Sequence, residues 1–292
     1  MSEPSTAGQL AARMVAVRAG VRRGLIELRQ VFTTGQDLFG QLFWPVVMLV
    51  VLFFMRDTTL EPSGLLLATM VLPSIVGMNL ALSGLLMMAQ LLAVEREDGT
   101  LLRAKATPNG MIGYLVGKLV TVAGSLLVGA VIVLVPGLFI VDGLALDSVG
   151  SWLALLGIML LGMAATLPIG AIFGSLFPNA RSLGFVSLAL MLLTAISGVF
   201  YPITALPDWL QWLAQVFPIY WLGLGTRAAL LPDGAVVGEL GESWRHLETV
   251  GVLGAWAALG LVLAPVVLRR MARRESGSSV AARRDKAMQR VS

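Results

Sequence analysis

Residues 94–110 read VEREDGTLLRAKATPNG and gather carboxylate, guanidinium and ammonium groups, with a glycine and a proline, between two long apolar runs. Such groups can cradle phosphate, hold a metal, do acid–base work or join two surfaces by charge, and each chemistry has its own pattern. A phosphate loop needs spaced glycines followed by Lys and then Ser or Thr. The nearest run, IGYLVGKLV, joins Gly117 to Lys118, but Ile112 stands in the place of the first glycine and Leu119 follows the lysine. The one histidine, His246, lies near Glu242 and Glu248. A zinc hydrolase usually needs two or three such ligands and an open position, so no metal site is expected. With no cysteine in the chain, thiolate catalysis, disulfides and cysteine ligation drop out together. Nucleophile, base and orienting group do not appear together, so no catalytic residue is assigned and the chain is not expected to be an enzyme.

Polar groups inside the apolar runs are few. Lys118 sits about two turns into the third run, where its long stem can carry the ammonium to the nearer surface. Asn79, Ser83 and Gln90 share one helix face and can either touch a substrate or hydrogen-bond a neighbouring helix. A carrier that moves ions unaided usually keeps acids or bases at such depths, and no such site is found here.

The elements that must position these groups are membrane helices. The chain is 57% hydrophobic and 13% charged over 292 residues, against about a quarter charged in soluble domains. Six runs reach the roughly 20 apolar residues that a spanning helix needs: 38–56, 64–94, 111–141, 150–177, 182–201 and 248–268. The second and third exceed one bilayer thickness, so they should tilt, kink at Pro73 or Pro136, or project into water. Eighteen of the 21 basic residues fall in the two termini and in the loops after the second and fourth runs. This places both termini and the charged stretch in the cytoplasm. The opening MSEPSTAGQL lacks a basic start and an apolar core, so the amino terminus is expected to stay in the mature chain.

Before the first span, Leu10, Met14, Val17, Val21, Leu25 and Leu28 recur at helical spacing with arginines on the other faces, which reads as a basic amphipathic helix at the lipid surface. The expected plan is a cytoplasmic segment over 1–35, a six-helix domain over 36–270 and a basic tail over 271–292. Within the charged stretch, Gly99 suits a helix end, Thr100 can cap a short helix, and Thr107 with Pro108 can start the third span. The result is a helical elbow.

The run EREDGTLLRAKATPNGMIGYLVGK, Glu95 to Lys118, resembles the cytosolic signature of ABC-2 type permeases, the membrane subunits of a class of ABC exporters. A second stretch, SGVFYPITALPDWLQWLAQVFPIYW, Ser197 to Trp221, resembles the outer segment of that family. The resemblance covers residues 10 to 270, and the drug-resistance permeases of the daunorubicin-exporter type are the nearest in character. It implies an all-α membrane fold of six transmembrane helices, with an N-terminal amphipathic interface helix, a cytoplasmic coupling helix and an extracellular re-entrant hairpin. It implies that Glu95, Arg96, Glu97, Gly99, Thr100 and Leu101 contact a separate ABC ATP-binding subunit. Met78, Asn79, Met87, Met191 and Thr194 would line a pathway between the second and fifth helices of two copies, a homodimer. Methionine suits a promiscuous apolar pocket. Pro202, Pro207, Trp209, Trp212 and Pro218 would form an external lid, with Tyr220 and Trp221 at headgroup level. This chain would bind no cofactor, ATP and Mg belonging to the partner; membrane lipid, and no nucleic acid, would be its other contact. A plasma-membrane exporter of a hydrophobic drug or lipid-like molecule is the resulting expectation. A self-contained carrier or channel, a hydrolase around Glu242, His246 and Glu248, and an exporter of a lipid-linked glycan or peptide remain as rivals.

Overall fold

The computed structural model describes residues 6–60, 65–177 and 180–274. Most of the basic tail, with Arg283, Arg284, Lys286 and Arg290, lies outside the described residues. The architecture is helical, apart from a two-residue antiparallel ladder of β1 (Thr59–Leu60) with β2 (Leu65–Leu66). The helices are α1 (Thr6–Thr33), α2 (Gly35–Met55), α3 (Leu67–Glu97), α4 (Thr100–Lys105), α5 (Gly110–Ile140), α6 (Val149–Leu176), α7 (Ala180–Ala195), α8 (Asp208–Val216), α9 (Pro218–Leu230) and α10 (His246–Arg274).

Among the described residues five helices, α2, α3, α5, α6 and α10, are long and apolar enough to cross a membrane. The fifth expected run behaves differently. Helix α7 has 16 residues and is about 24 Å long, short of the roughly 30 Å hydrocarbon core. It stops at Ala195 because the Ser197 hydroxyl donates to Thr194 O (2.7 Å) and Gly198 takes a left-handed φ of 68°. Pro202 follows, and only a single 3-10 turn, Ile203–Ala205, forms before α-helix resumes at Asp208.

The core lies where α3, α6 and α9 meet, with α10 against α6 and α5 against α3. Helix α1 is not loose. It runs alongside the first half of α5 in the same direction, Gly20 against Gly113, Gly24 against Gly117 and Leu28 against Gly124. A Cβ on Gly24 would stand 2.5 Å from Gly117 O, so only small residues permit this approach. The packed face of α1 is therefore this small-residue stripe. Leu10, Met14, Val17 and Leu25 of the expected apolar stripe face outward, and Val21 and Leu28 lie at its edge.

Candidate functional site

At the elbow, α3 ends when Gly99 turns left-handed at φ 81°. The Asp98 carboxylate accepts from Thr100 N at 2.7 Å and caps α4, a role the sequence had suggested for Thr100. The Thr107 hydroxyl donates back to Ala104 O (3.0 Å), so α5 starts two residues beyond Pro108, at Gly110, with Asn109 in the left-handed region.

The charges at this elbow sort into an inner and an outer set. Lys118 does not reach the surface: its side chain is 3% exposed, and its Nζ lies 2.6 Å from Glu27 Oε2 and 2.5 Å from Glu95 Oε1. Arg23 pairs with Glu27 at 2.8 Å and with Glu95 at 3.6 Å. Two acids and two bases thus join α1, α3 and α5 with no net charge, the arrangement that makes buried ions tolerable. Thr121 adds a hydroxyl to Glu27 Oε2 at 3.2 Å, and the buried Tyr114 ring lies 5.9 Å from the ammonium and 6.0 Å from the guanidinium. Burial pushes the Glu27 carboxyl up, but the hydrogen bonds from Lys118 and Arg23 outweigh it and hold it below its ordinary value.

Of the six elbow residues singled out in the sequence, Glu95 and Leu101 therefore point inward, Arg96, Gly99 and Thr100 are half-buried, and Glu97 is exposed. Asp98 and Arg103 are exposed beside Glu97. Two straps hold the elbow to the rest of the molecule. Arg96 Nη1 donates to Ser175 O (3.2 Å) at the end of α6, and Lys105 Nζ donates to Ala272 O (2.8 Å) at the end of α10. Both place a cation on the carbonyl-rich end of a helix.

On α3, a half-circle of partly exposed side chains has Asn79 and Gln90 near its middle and Met78 and Met87 at its two edges. The Ser83 hydroxyl donates to Asn79 Oδ1 at 3.1 Å, so these polar groups serve each other along the face. On α7, Met191 is exposed, whereas Thr194 is buried and donates to Leu190 O (2.8 Å). The structure leaves Met191 open and turns Thr194 inside.

At the opposite end, α8 carries Trp209 and Trp212 outward, with Pro207 exposed and Pro202 half-buried. Pro218 begins α9, a helix buried almost throughout. Tyr220 and Trp221 are buried rather than at a surface, and the Trp221 indole donates to Gln215 O (2.6 Å). A second buried ion pair fastens this end. Arg227 Nε and Nη2 reach Glu239 Oε1 and Oε2 at 2.6 and 3.1 Å, and Nη1 donates to Ser74 Oγ at 2.9 Å. Both charged side chains are 3% exposed. Beside them Thr226 Oγ1 donates to Pro73 O (2.7 Å).

Neither ion pair was foreseen in the sequence. The available signals were a lone lysine inside an apolar helix and the fourfold spacing of Gly20 with Gly24 and Gly113 with Gly117. Around His246, no set of three His, Asp or Glu side chains able to hold a metal forms among the described residues.

Residues 54–265 match the sequence model of a family described as ABC-2 family transporter protein, well over half of the chain. The chain belongs to the ABC-2 transporter family. No curated protein matches it. As an ABC-2 protein with five apolar candidate spans, it is a multi-pass membrane protein of the permease kind. The matched region of this ABC-2 chain holds Glu95, Lys118, Arg227 and Glu239, whereas Arg23 and Glu27 of α1 precede it.

Proposed function

We propose that the chain is the permease subunit of an ATP-driven exporter, docking through its elbow onto a separate ATP-binding subunit and pairing with a second copy to enclose a pathway. The observation that carries this reading is the exposed group Glu97, Asp98 and Arg103, set on an elbow that is tied to α1, α6 and α10. A push received there reaches α1, α3, α5, α6 and α10 as one body, which is what rigid-body alternating access requires. The pathway face is the half-exposed side of α3 with Met191 of α7. Helix α7 crosses the membrane together with residues 196–201, α1 keeps its outward apolar side in the lipid surface, and α8 with α9 forms the outer hairpin. Both termini are cytoplasmic. The cargo is a hydrophobic or amphipathic molecule of the drug or lipid-like class, as in the daunorubicin-exporter type.

Purification of the tagged chain from its own membrane in mild detergent, with mass spectrometry of what stays bound, tests this directly. A soluble subunit carrying a phosphate loop should come down in comparable amount. Charge reversal at Glu97 and Arg103 together should release that subunit while the thermal stability of the permease stays unchanged. Retention of the ATPase by this double variant would remove the elbow from the docking surface. The buried Lys118 group keeps one rival specific, since a self-contained carrier needs charge at such a depth. Transport that collapses with a proton ionophore while ATP stays high would favour that rival.

A further inference from the structure

Three helices meet at a notch left by Gly129 of α5. A Cβ on this glycine would stand 3.9 Å from Gln41 Nε2 of α2 and 4.0 Å from Asn79 Oδ1 of α3, so both amides border the space that the missing side chain leaves. Four residues earlier on the same face of α5, Ser125 is 1% exposed, and its hydroxyl has no hydrogen-bond partner among the described residues. The notch lies near the middle of α3 and of α5, at the edge of the half-exposed α3 face. Polar side chains at this depth usually bond one helix to another. Here they do little of that. Gln41 Nε2 reaches Ser125 O only at 3.5 Å, the long limit of a hydrogen bond, and the Asn79 carbonyl accepts from Ser83 of its own helix. Among the described residues no hydrogen bond joins the two amides. Asn79 Nδ2, Gln41 Oε1 and the Ser125 hydroxyl therefore keep unused bonding capacity inside the membrane span, which is costly until a partner is supplied.

Chemistry and depth define the occupant. None of Gln41, Asn79, Ser83 and Ser125 ionises. An ion placed here would lose its water and meet no countercharge, because Lys118, about 10 Å before Ser125 along α5, is already paired with Glu27 and Glu95. A carboxamide, hydroxyl or ketone would instead find donor and acceptor together. The ester groups of a resting phospholipid lie outside the hydrocarbon core, about 15 Å from its centre, and do not reach a notch at mid-helix. A molecule in transit does. We infer that the notch holds the neutral hydrogen-bonding group of the transported molecule, with Gln41, Asn79 and Ser125 selecting uncharged polar cargo over ionised or wholly apolar cargo. This rests on the pathway proposed above, which it furnishes with residues of α2 and α5.

The full-length protein in phospholipid nanodiscs is photolabelled with benzophenone bearing a carboxamide, and in parallel with the same ring system bearing a methyl or a trimethylammonium group. Adducts are mapped by mass spectrometry. The carboxamide probe should mark residues 78–87 and 125–129 about 3–10-fold more than the methyl probe at equal membrane concentration, the factor that one neutral hydrogen bond gives. The trimethylammonium probe should gain nothing over the methyl one. Gly129→Ala fills the notch at ordinary contact distance, so it should melt as the parent does and yet lose the carboxamide preference. Asn79→Leu should lose that preference too. Equal labelling by the carboxamide and methyl probes overturns the site, as does a preference that survives Gly129→Ala. A lower melting temperature in Asn79→Leu with the preference intact would make these groups a bond between helices and nothing more. Stronger labelling by the trimethylammonium probe would overturn the selection of neutral cargo. Because the nanodiscs contain no ATPase, failure here leaves the docking of an ATP-binding subunit standing. Absence of that subunit from the purified chain, with the carboxamide preference present, would leave the notch to a self-contained carrier.

Discussion

Replacing Lys118 with Met removes the closer of the two cations that reach both Glu27 and Glu95, and the more deeply buried one. Glu27 and Glu95 would then share Arg23 alone, which stands 2.8 Å from the first and 3.6 Å from the second. Removing one partner of a fully buried ion pair costs about 3–5 kcal/mol, because the remaining charge has lost its water. Here the Glu27 side chain is 21% exposed and that of Glu95 13%. Water and Arg23 recover part of the loss, so about 2–4 kcal/mol is expected. For a protein of this size each kcal/mol moves the melting temperature by about 2–4 °C, so the variant should melt roughly 4–16 °C lower. Scanning fluorimetry of the purified chain in one detergent reads this directly. The triple variant Lys118→Met, Glu27→Gln, Glu95→Gln should regain most of the difference, since no buried charge is then stranded. A single variant that melts within about 2 °C of the parent would refute the account, for an interaction of that size belongs to an exposed pair.

Three further outcomes follow from the same contacts. Gly24→Leu puts side-chain atoms against Gly117 O and Val120, so α1 should lift from α5 at a cost of about 1–3 kcal/mol and be cut faster by protease; Gly35→Ala, which meets nothing within 4 Å, should change neither. Arg227→Met leaves Glu239 buried alone and should cost about 3–5 kcal/mol, whereas Arg227→Met with Glu239→Leu should lose much less in the same melting assay. Glu27 has its carboxyl held below the ordinary 4.5, so its contribution is present above that value and lost as pH falls through the lower, folded value. The parent should therefore lose more melting temperature on acidification below pH 4.5 than Glu27→Gln does.

Much of the scaffold follows from local rules. The apolar runs around Pro45, Pro73, Pro136, Pro168 and Pro265 became long helices, because a membrane-length apolar run can satisfy its backbone in no other single-segment way. The starts of α8 and α9 were readable from Pro207 and Pro218, each standing where a helix can begin but not continue through it. Pairing across the chain was not readable in this manner. Lys118 meets Glu27 from 91 residues away, and periodicity carries no record of such a partner. The length of α7 was overestimated because hydropathy continues through Ser197 to Tyr201, while helix formation stops on one hydroxyl and one left-handed glycine. For α1, the larger side chains drew attention to the outward face and not to the one packed on α5. The packed side is the one with almost no side chain at all.

The two ion pairs grip the same helix near its opposite ends. Helix α3 has 31 residues and so is about 46 Å long. Glu95 fixes one end to α1 and α5, and Ser74 with the Pro73 carbonyl fixes the other to α9. Such a helix acts as a beam clamped at both tips. A tilt of about 5° at the elbow would displace the far tip by about 4 Å over that length. Helix α9 would travel with the tip because it is fastened to it. The position of α9 therefore reports the angle of the elbow.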